Sequence, residues 1–340
     1  MSKGILLYAE LTRYNPDEGQ YVHPVFFELA AKANELAQKL DNAPIYAIII
    51  GKEKLIKNFK EGFTENNIDT VYVVEDERLE EYSTEYYSKI AVDIVKEINP
   101  EIFIIGATTQ GRDLAPRISS ALHTGLTADC IELDINEKGM LAATRPTFGG
   151  QLMATILCKN QPQMATVRPK VFKPLKEFIK KDTKFITKKA DIDDIENKVK
   201  LIEFLKHPEK AESALEDAEI IVAGGRGMKD LMGFEMLKEF ASLLNAKVGA
   251  SRVAVEMGLA SHEMQIGQTG KTVTPRIYIA CGISGALQHT VGMNGSDTVI
   301  AINTDRNAPI FDIADIAIAG DVFEILPELI EMIKNNKNSV

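Results

Sequence analysis

Short, wholly apolar runs alternate with helix-period stretches through the first third of the chain. Residues 4–9 (GILLYA), 45–50 (IYAIII), 70–74 (TVYVV) and 102–106 (IFIIG) have the length and unbroken hydrophobicity of strands buried on both faces. Between the first two, Phe26, Leu29, Ala33, Leu36 and Leu40 recur at helical spacing and predict an amphipathic helix from about Pro24. Ile90, Ile94 and Ile98 mark another helix, closed by Asn99-Pro100. This alternation of strand and helix predicts a parallel sheet covered by helices.

The pattern then changes. Residues 129–136, 140–145, 152–158 and 163–168 have the alternation of consecutive strands joined by turns containing glycine and proline, so the sheet is expected to gain antiparallel strands. Residues 173–200 are dense in Lys, Asp and Glu and predict a surface excursion, with residues 199–205 (VKLIEFL) returning as one more strand. Residues 207–219 (HPEKAESALEDAE) have the composition of a linker.

A second domain opens with residues 220–227 (IIVAGGRG), a buried strand running into a glycine turn. Residues 228–245 have a helical period, with Met232, Met236, Phe240 and Leu243 along one face. VGASR, a short helix, the GQTGK loop, the strand RIYIAC, a helix starting near Ser284, the strand TVIAIN, the segment IFDIADIAIAG and a terminal helix near residues 322–334 follow in order. The fold class expected is therefore α/β with two domains. Residues 1–206 form a parallel-rich α/β domain with added antiparallel strands, and residues 207–340 form a Rossmann-like domain. Strand–glycine turn–helix units of this kind place helix N-termini at the carboxyl ends of strands, where dinucleotides bind.

Thirteen of the chain's 23 glycines fall between Gly224 and Gly320, interleaved with Ser251, Arg252, Gln268, Thr269, Ser284, Gln288 and His289. Such density suggests a backbone that approaches something closely, a mould for a large polar ligand with phosphates and rings. The net charge of −10 argues against nucleic acid or an anionic membrane as partner. Cys130, Cys158 and Cys281 have no ligand spacing and are expected to be reduced, buried thiols, with no metal site. No targeting segment or run of membrane-spanning length is present, which predicts a soluble, cytoplasmic protein of a bacterium-like cell.

Three motifs carry candidate chemistry. GGRGM (224–228) can hold a diphosphate with turn amides and the Arg226 guanidinium, or can be only a tight turn with a solvated arginine. GQTGK (267–271) lacks the spacing of a Walker phosphate loop, since position 265 is Gln; Gln268 and Thr269 can instead face a flat heteroatom-rich ring. In GISGALQH (282–289), Ser284 is the expected helix N-cap, and the amides of Ser284, Gly285 and Ala286 can face a pyrophosphate. His289 beside that loop can donate to a ring carbonyl; as a lone histidine it can equally be structural. The other histidines, His23, His123, His207 and His262, have no nucleophile or metal partner, and Asp193-Asp194 lies in the charged excursion. Many ligand-holding groups and no catalytic acid, base or nucleophile point to a protein whose cofactor does the chemistry.

Taken in order, GGRG, VGASR, QIGQTGK, YIACGISGALQH, IAIN and the AGD near residue 320 closely resemble the α subunit of electron transfer flavoprotein. The YAE start, GATTQGRDLAPR and RPTFGGQLMATI extend the likeness to the whole chain. The resemblance implies FAD in the C-terminal domain and a heterodimer in which the N-terminal domain packs on a β subunit. It implies that Arg226, Ser251 and Ser284–Ala286 line the diphosphate and ribityl region. Arg252 would lie over the isoalloxazine, Gln268 and Thr269 would face it with the Thr269 hydroxyl near N5, and Gln288 and His289 would follow, His289 toward O2. Asn303 and Asp321 would bind the adenosine end, and Ile266, Gly267, Leu287 and Val322 complete the set. Val322 stands where many relatives have Leu, a mild change. Arg252, Thr269 and His289 would tune the flavin's potential. The family implies an acyl-CoA dehydrogenase as partner; it also contains bifurcating members that oxidise NADH and reduce ferredoxin or flavodoxin, and the sequence leaves both readings open. An NAD-using enzyme or a non-redox nucleotide-binding regulator on a similar fold is the alternative.

Overall fold

The computed structural model describes residues 4–12, 20–147, 152–199, 201–202 and 215–337, which fall into two compact units, one on each side of the 203–214 segment. The N-terminal unit contains β1 (Ile5–Ala9), β2 (Leu11–Thr12), β3 (Tyr21–Val22), α1 (Val25–Lys39), β4 (Ile45–Gly51), α2 (Leu55–Thr64), β5 (Thr70–Glu75), α3 (Thr84–Ile98), β6 (Ile102–Gly106) and α4 (Thr109–Ala121). It continues through β7 (Leu126–Cys130), β8 (Glu132–Ile135), β9 (Leu141–Thr147), β10 (Leu152–Leu157), β11 (Gln163–Val167) and β12 (Lys184–Lys188). Seven strands pair in the order β12-β5-β4-β1-β6-β11-β7, every pair parallel.

The apolar runs are continuous because both faces of this sheet are covered. Ile5, Leu7 and Ala9 of β1 point into a core with Phe26 and Leu29 of α1, while Leu6 and Tyr8 point into a second core with Ile90 and Ile94 of α3. Helix α3 ends where Asn99-Pro100 predicts: Asn99 turns to φ 51° and its N–H donates to Val95 O at 2.7 Å.

Several expectations need correction. The antiparallel strands do not join the main sheet; β8, β9 and β10 form a separate three-stranded sheet, and β11 returns to lie parallel between β6 and β7. The run 129–136 is two strands that part at Ile131 and belong to different sheets. Helices α2 and α4 escape the hydrophobic pattern, the latter because it is polar and carries Pro116 within it. The charged excursion contains β12, whose place at the sheet edge lets Lys184 and Lys188 remain in water. Val199, Leu201 and Ile202 lie in no strand, and the rest of that run, like residues 207–214, is outside the described residues. Cys130 and Cys281 are buried, Cys158 is half-buried, and all three are free thiols.

The C-terminal unit contains β13 (Ile220–Gly224), α5 (Leu231–Leu243), β14 (Lys247–Ala250), α6 (Arg252–Glu256), β15 (Ile277–Cys281), α7 (Leu287–Thr290), β16 (Thr298–Asn303), β17 (Ile316–Ala319) and α8 (Val322–Lys337). Its five strands are all parallel in the order β14-β13-β15-β16-β17. The buried face of α5 is Phe234, Leu237, Phe240 and Ala241, packed with Leu326 and Ile330 of α8; Met232, expected on that face, is 81% exposed. No described helix is long and apolar enough to cross a membrane, and no group of three or more potential metal ligands occurs among the described residues.

Two carboxyl groups lie inside the N-terminal unit. Glu28 on α1 accepts from Lys170 N at 2.7 Å, and Glu10 accepts from the Thr108 hydroxyl. Burial pushes each up to about 7, against the hydrogen bonds that favour the charged form. The folded unit therefore holds protons that the unfolded chain releases near pH 4.5. Their contribution is full below that pH and is lost as pH rises through 7. Glu28→Gln and Glu10→Gln remove this dependence. Relative to wild type, each variant is expected to gain up to about 3 kcal/mol between pH 5 and pH 8. Denaturant unfolding of the three proteins at both pH values measures the difference.

Candidate functional site

In the C-terminal unit the chain steps from β13 outward to β14, then returns past β13 to β15. The crevice beyond the carboxyl ends of β13 and β15 is thus the topological switch point, where open parallel sheets hold ligands. Two glycine turns meet there. Gly225 N donates to Cys281 O at 2.9 Å and Gly227 N to Gly282 O at 3.0 Å. A Cβ on Gly225 would stand 2.2 Å from Gly282 O, and one on Gly227 would stand 2.7 Å from Gly282 Cα. The backbone that Gly225 and Gly227 approach is thus that of Gly282.

The neighbouring loops lock in the same way. Gly285, at φ 85°, lies so near Ile310 that a Cβ would come within 2.2 Å of its nitrogen, and Ile310 N donates to Ser284 O at 3.0 Å. Gly267 packs on Gln288 O, which accepts from Gln268 N at 2.7 Å. Ile266 N donates to Ala250 O at 2.9 Å, tying this loop to β14. Asn303 Nδ2 donates to Ile283 O at 2.8 Å while its Oδ1 accepts from Asp305 N, so that side chain braces the turn from below.

Ser284 is not a helix cap. Helix α7 begins at Leu287, with Ala286 at its N-cap position and no side-chain capping bond. The positive φ that Gly285 needs to reach Ile310 delays the helix by two residues, from an expected cap at Ser284 to Ala286. Consequently the amides of Ser284, Gly285 and Ala286 donate to no partner among the described residues. Arg226, in the opposing turn, is exposed. Three consecutive unused N–H groups, with a guanidinium carried by the opposing turn, suit a diphosphate.

The other expected residues have partners of their own. Ser251 caps α6, its hydroxyl accepting from Ala254 N at 3.3 Å. Arg252 is exposed and pairs with Glu256 one turn on at 2.8 Å. Thr269 is exposed, and its hydroxyl accepts from Gln265 Nε2 at 3.0 Å, leaving its own proton to donate. Gln268 and Gln288 are exposed, Gly267 is buried, and Leu287 is half-buried. Asp321 spends one oxygen on Phe323 N at 3.0 Å and meets Lys229 Nζ with the other at 3.3 Å. These contacts, the Phe323 N–H first, hold its carboxyl below the usual range. Val322 opens α8 and is buried.

His289 differs from the rest. It is 7% exposed, and its Nε2 lies 2.9 Å from the hydroxyl of Tyr278. Burial pushes the ring down to about 4, with the Ile266 backbone opposing part of the effect, so the imidazole is neutral near pH 7. Its Nδ1 is buried and makes no hydrogen bond of acceptable geometry among the described residues. Sequence reasoning missed Tyr278, Gln265, Glu256 and Lys229. The spacing of four between Arg252 and Glu256, and between Gln265 and Thr269, is a local signal; nothing local joins Lys229 to Asp321.

Residues 14–198 match the electron transfer flavoprotein domain, and residues 214–294 match the electron transfer flavoprotein FAD-binding domain. The electron transfer flavoprotein α subunit of Thermoanaerobacterium thermosaccharolyticum is 47% identical, over 92% of this chain and 94% of that one. The α subunit from Megasphaera elsdenii is 45% identical over 98% and 97%, and protein FixB of Azorhizobium caulinodans is 44% identical over 95% and 88%. The chain belongs to the electron transfer flavoprotein α-subunit family, and its cofactor is FAD. The residues present fit that group: the unused amides of residues 284–286 suit a pyrophosphate, and Nδ1 of His289 is a buried polar atom with no hydrogen bond of acceptable geometry among the described residues.

The glycine contact has a direct test. Gly225→Ala drives a methyl group into Gly282 backbone that cannot yield without moving β15. The variant is expected to lose about 3 kcal/mol or more of stability in the C-terminal unit, together with its FAD. Thermal unfolding and the flavin absorbance of the purified protein measure both.

Proposed function

We propose that this family member is the FAD-binding half of a heterodimer with an electron transfer flavoprotein β subunit. In the cytoplasm it carries electrons between acyl-CoA dehydrogenase-type flavoenzymes and a second redox partner. The observation that carries this reading is the row of unused amides at Ser284–Ala286, fixed by interlocked turns. FAD, when bound, supplies the redox chemistry; the chain supplies binding, orientation and electrostatics.

In this reading Arg226 and the amides of residues 284–286 hold the diphosphate. Ser251, Ile266, Gly267, Leu287 and Gln288 shape the walls. Gln268 and the free hydroxyl proton of Thr269 serve the ring, and Nδ1 of His289 donates to it. Asn303, Asp321 and Val322 close the adenosine end; because both Asp321 oxygens are engaged, the backbone there is the better ligand group. Arg252 favours negative charge on the reduced flavin, an effect moderated by Glu256. The N-terminal domain, residues 1–206, packs on the β subunit, and residues 207–340 form the FAD domain.

Co-expression with a β subunit and a count of flavins per heterodimer test the reading. One FAD with AMP supports a simple carrier. Two FADs, with NADH-driven reduction of ferredoxin or flavodoxin when an acyl-CoA dehydrogenase is present, make the pair a bifurcating one. A colourless heterodimer sinks both and favours an NAD-using enzyme or a non-redox nucleotide-binding regulator.

Two substitutions test the residue roles. Arg252→Ala is expected to shift the equilibrium of the bound flavin toward the oxidised form by about tenfold, read as a lowered midpoint potential. Thr269→Met puts a bulky apolar chain where a hydroxyl meets Gln265, and FAD content is expected to fall by roughly half or more. An unchanged potential in the first, or a wild-type flavin spectrum and content in the second, counts against the assignment.

A further inference from the structure

We propose that Tyr278 is a positioning residue for the cofactor site: its phenol donates to His289 Nε2 and so places the ring proton on Nδ1, the one ring atom left for an acceptor on the ligand. The inference rests on the reading that FAD occupies the carboxyl-end crevice of the C-terminal unit.

Tyr278 sits on β15 and is 0% exposed. Its hydroxyl meets Nε2 of His289 at 2.9 Å and has no other partner among the described residues. Burial keeps the phenol protonated, its pKa raised well above the usual value, and keeps the imidazole neutral. The pair therefore holds two protons, one on oxygen and one on the ring, and these can be placed in two ways.

If the ring proton is on Nε2, it is donated to the phenol oxygen. The phenol's own proton then lacks an acceptor, and the Nδ1 lone pair lacks a donor. If the ring proton is on Nδ1, the phenol donates to Nε2 and both of those atoms are satisfied; only the Nδ1–H remains. Buried polar groups without partners are expensive, so the second arrangement is favoured by roughly tenfold or more. The remaining N–H lies in the loop cluster where Gly267 packs on Gln288, in the short helix that follows the unused amides of residues 284–286. A donor on Nδ1 suits an acceptor such as a ring carbonyl; a bare lone pair there repels one. Tyr278 thus decides which kind of group the site can take without touching that group.

The test uses the FAD-loaded heterodimer with ¹⁵N-labelled histidine. His289→Gln identifies the His289 signals among the five histidines. The wild type is expected to show a protonated Nδ1 and an unprotonated Nε2, and Tyr278→Phe a mixture of tautomers. FAD is expected to dissociate about tenfold more readily from Tyr278→Phe, and Tyr278→Phe is expected to add no loss on the His289→Gln background. A proton on Nε2 in the wild type, or an unchanged tautomer in Tyr278→Phe, overturns the proposal. If Tyr278→Phe does not assemble, the wild-type signals alone decide. Should the tautomers behave as expected while His289→Gln and Tyr278→Phe bind FAD as the wild type does, the tyrosine–histidine bond stands. The placement of the flavin beside it, and the positioning role with it, then falls.

Discussion

Backbone pressed against backbone, where the turn after β13 meets the turn after β15, is the contact on which the C-terminal site depends. Gly225 and Gly227 lie against Gly282 with no room for a Cβ on either side, and two main-chain hydrogen bonds hold them there. Side chains would fill a crevice built in the usual way. Here the two turns close on each other, and their polar groups are divided: some are spent joining the turns, and the amides of residues 284–286 are left unspent. The further contacts of Gly285 with Ile310, and of Asn303 with Ile283, hold the turn that carries these amides. A ligand with phosphates therefore meets donors whose ordering cost was met during folding.

The same frame explains why the site is rich in donors yet nearly balanced in charge. Arg252 stands beside Glu256, Asp321 beside Lys229, and His289 is neutral because burial disfavours its cation. Exposed pairs of this kind contribute little to stability. In the proposed function, this pairing leaves neutral N–H and O–H groups to act on the ligand's charge beside Arg226 and the moderated Arg252. A fixed positive charge would bind an anion and resist its release. Polarised neutral donors alter the ligand's electron affinity with less of that penalty.

Much of this was legible in the chain. Runs buried on both faces are unmistakable, so β1, β4, β5, β6, β13, β15 and β16 stand where hydrophobicity puts them. Most of the polar–glycine block lies within the stretch that matches the FAD-binding domain. What escaped reading was non-local. Ser284 has the composition of a cap, but the contact of Gly285 with Ile310 decides where α7 begins. Residues 152–157 and 163–167 have similar composition, yet one pairs antiparallel on a small sheet and the other enters the main one. The pairing of Tyr278 with His289 spans 11 residues and a change of direction, and no periodicity reports it.

The two units share one architectural opportunity and use it differently. In the N-terminal sheet the chain also reverses beside its first strand, stepping from β1 to β4 and β5 on one side and to β6 on the other. The carboxyl ends of β1 and β6 should therefore form a crevice of the same class. It is filled from within. Glu10, which follows β1, takes the hydroxyl of Thr108, which follows β6, and that hydroxyl also caps α4 by accepting from Gly111 N at 2.9 Å. Gln110, in the first turn of α4, donates to the buried Tyr8 hydroxyl at 2.6 Å. A phosphate arriving there would have to displace a buried carboxyl group and break a helix cap. At the corresponding point of the C-terminal sheet, Gly225, Gly227 and Gly282 carry no side chains, and the amides of residues 284–286 are unspent. Parallel topology supplies a crevice to both units; the glycines at 225, 227 and 282, set against Glu10 and Thr108, decide which of them can receive a ligand.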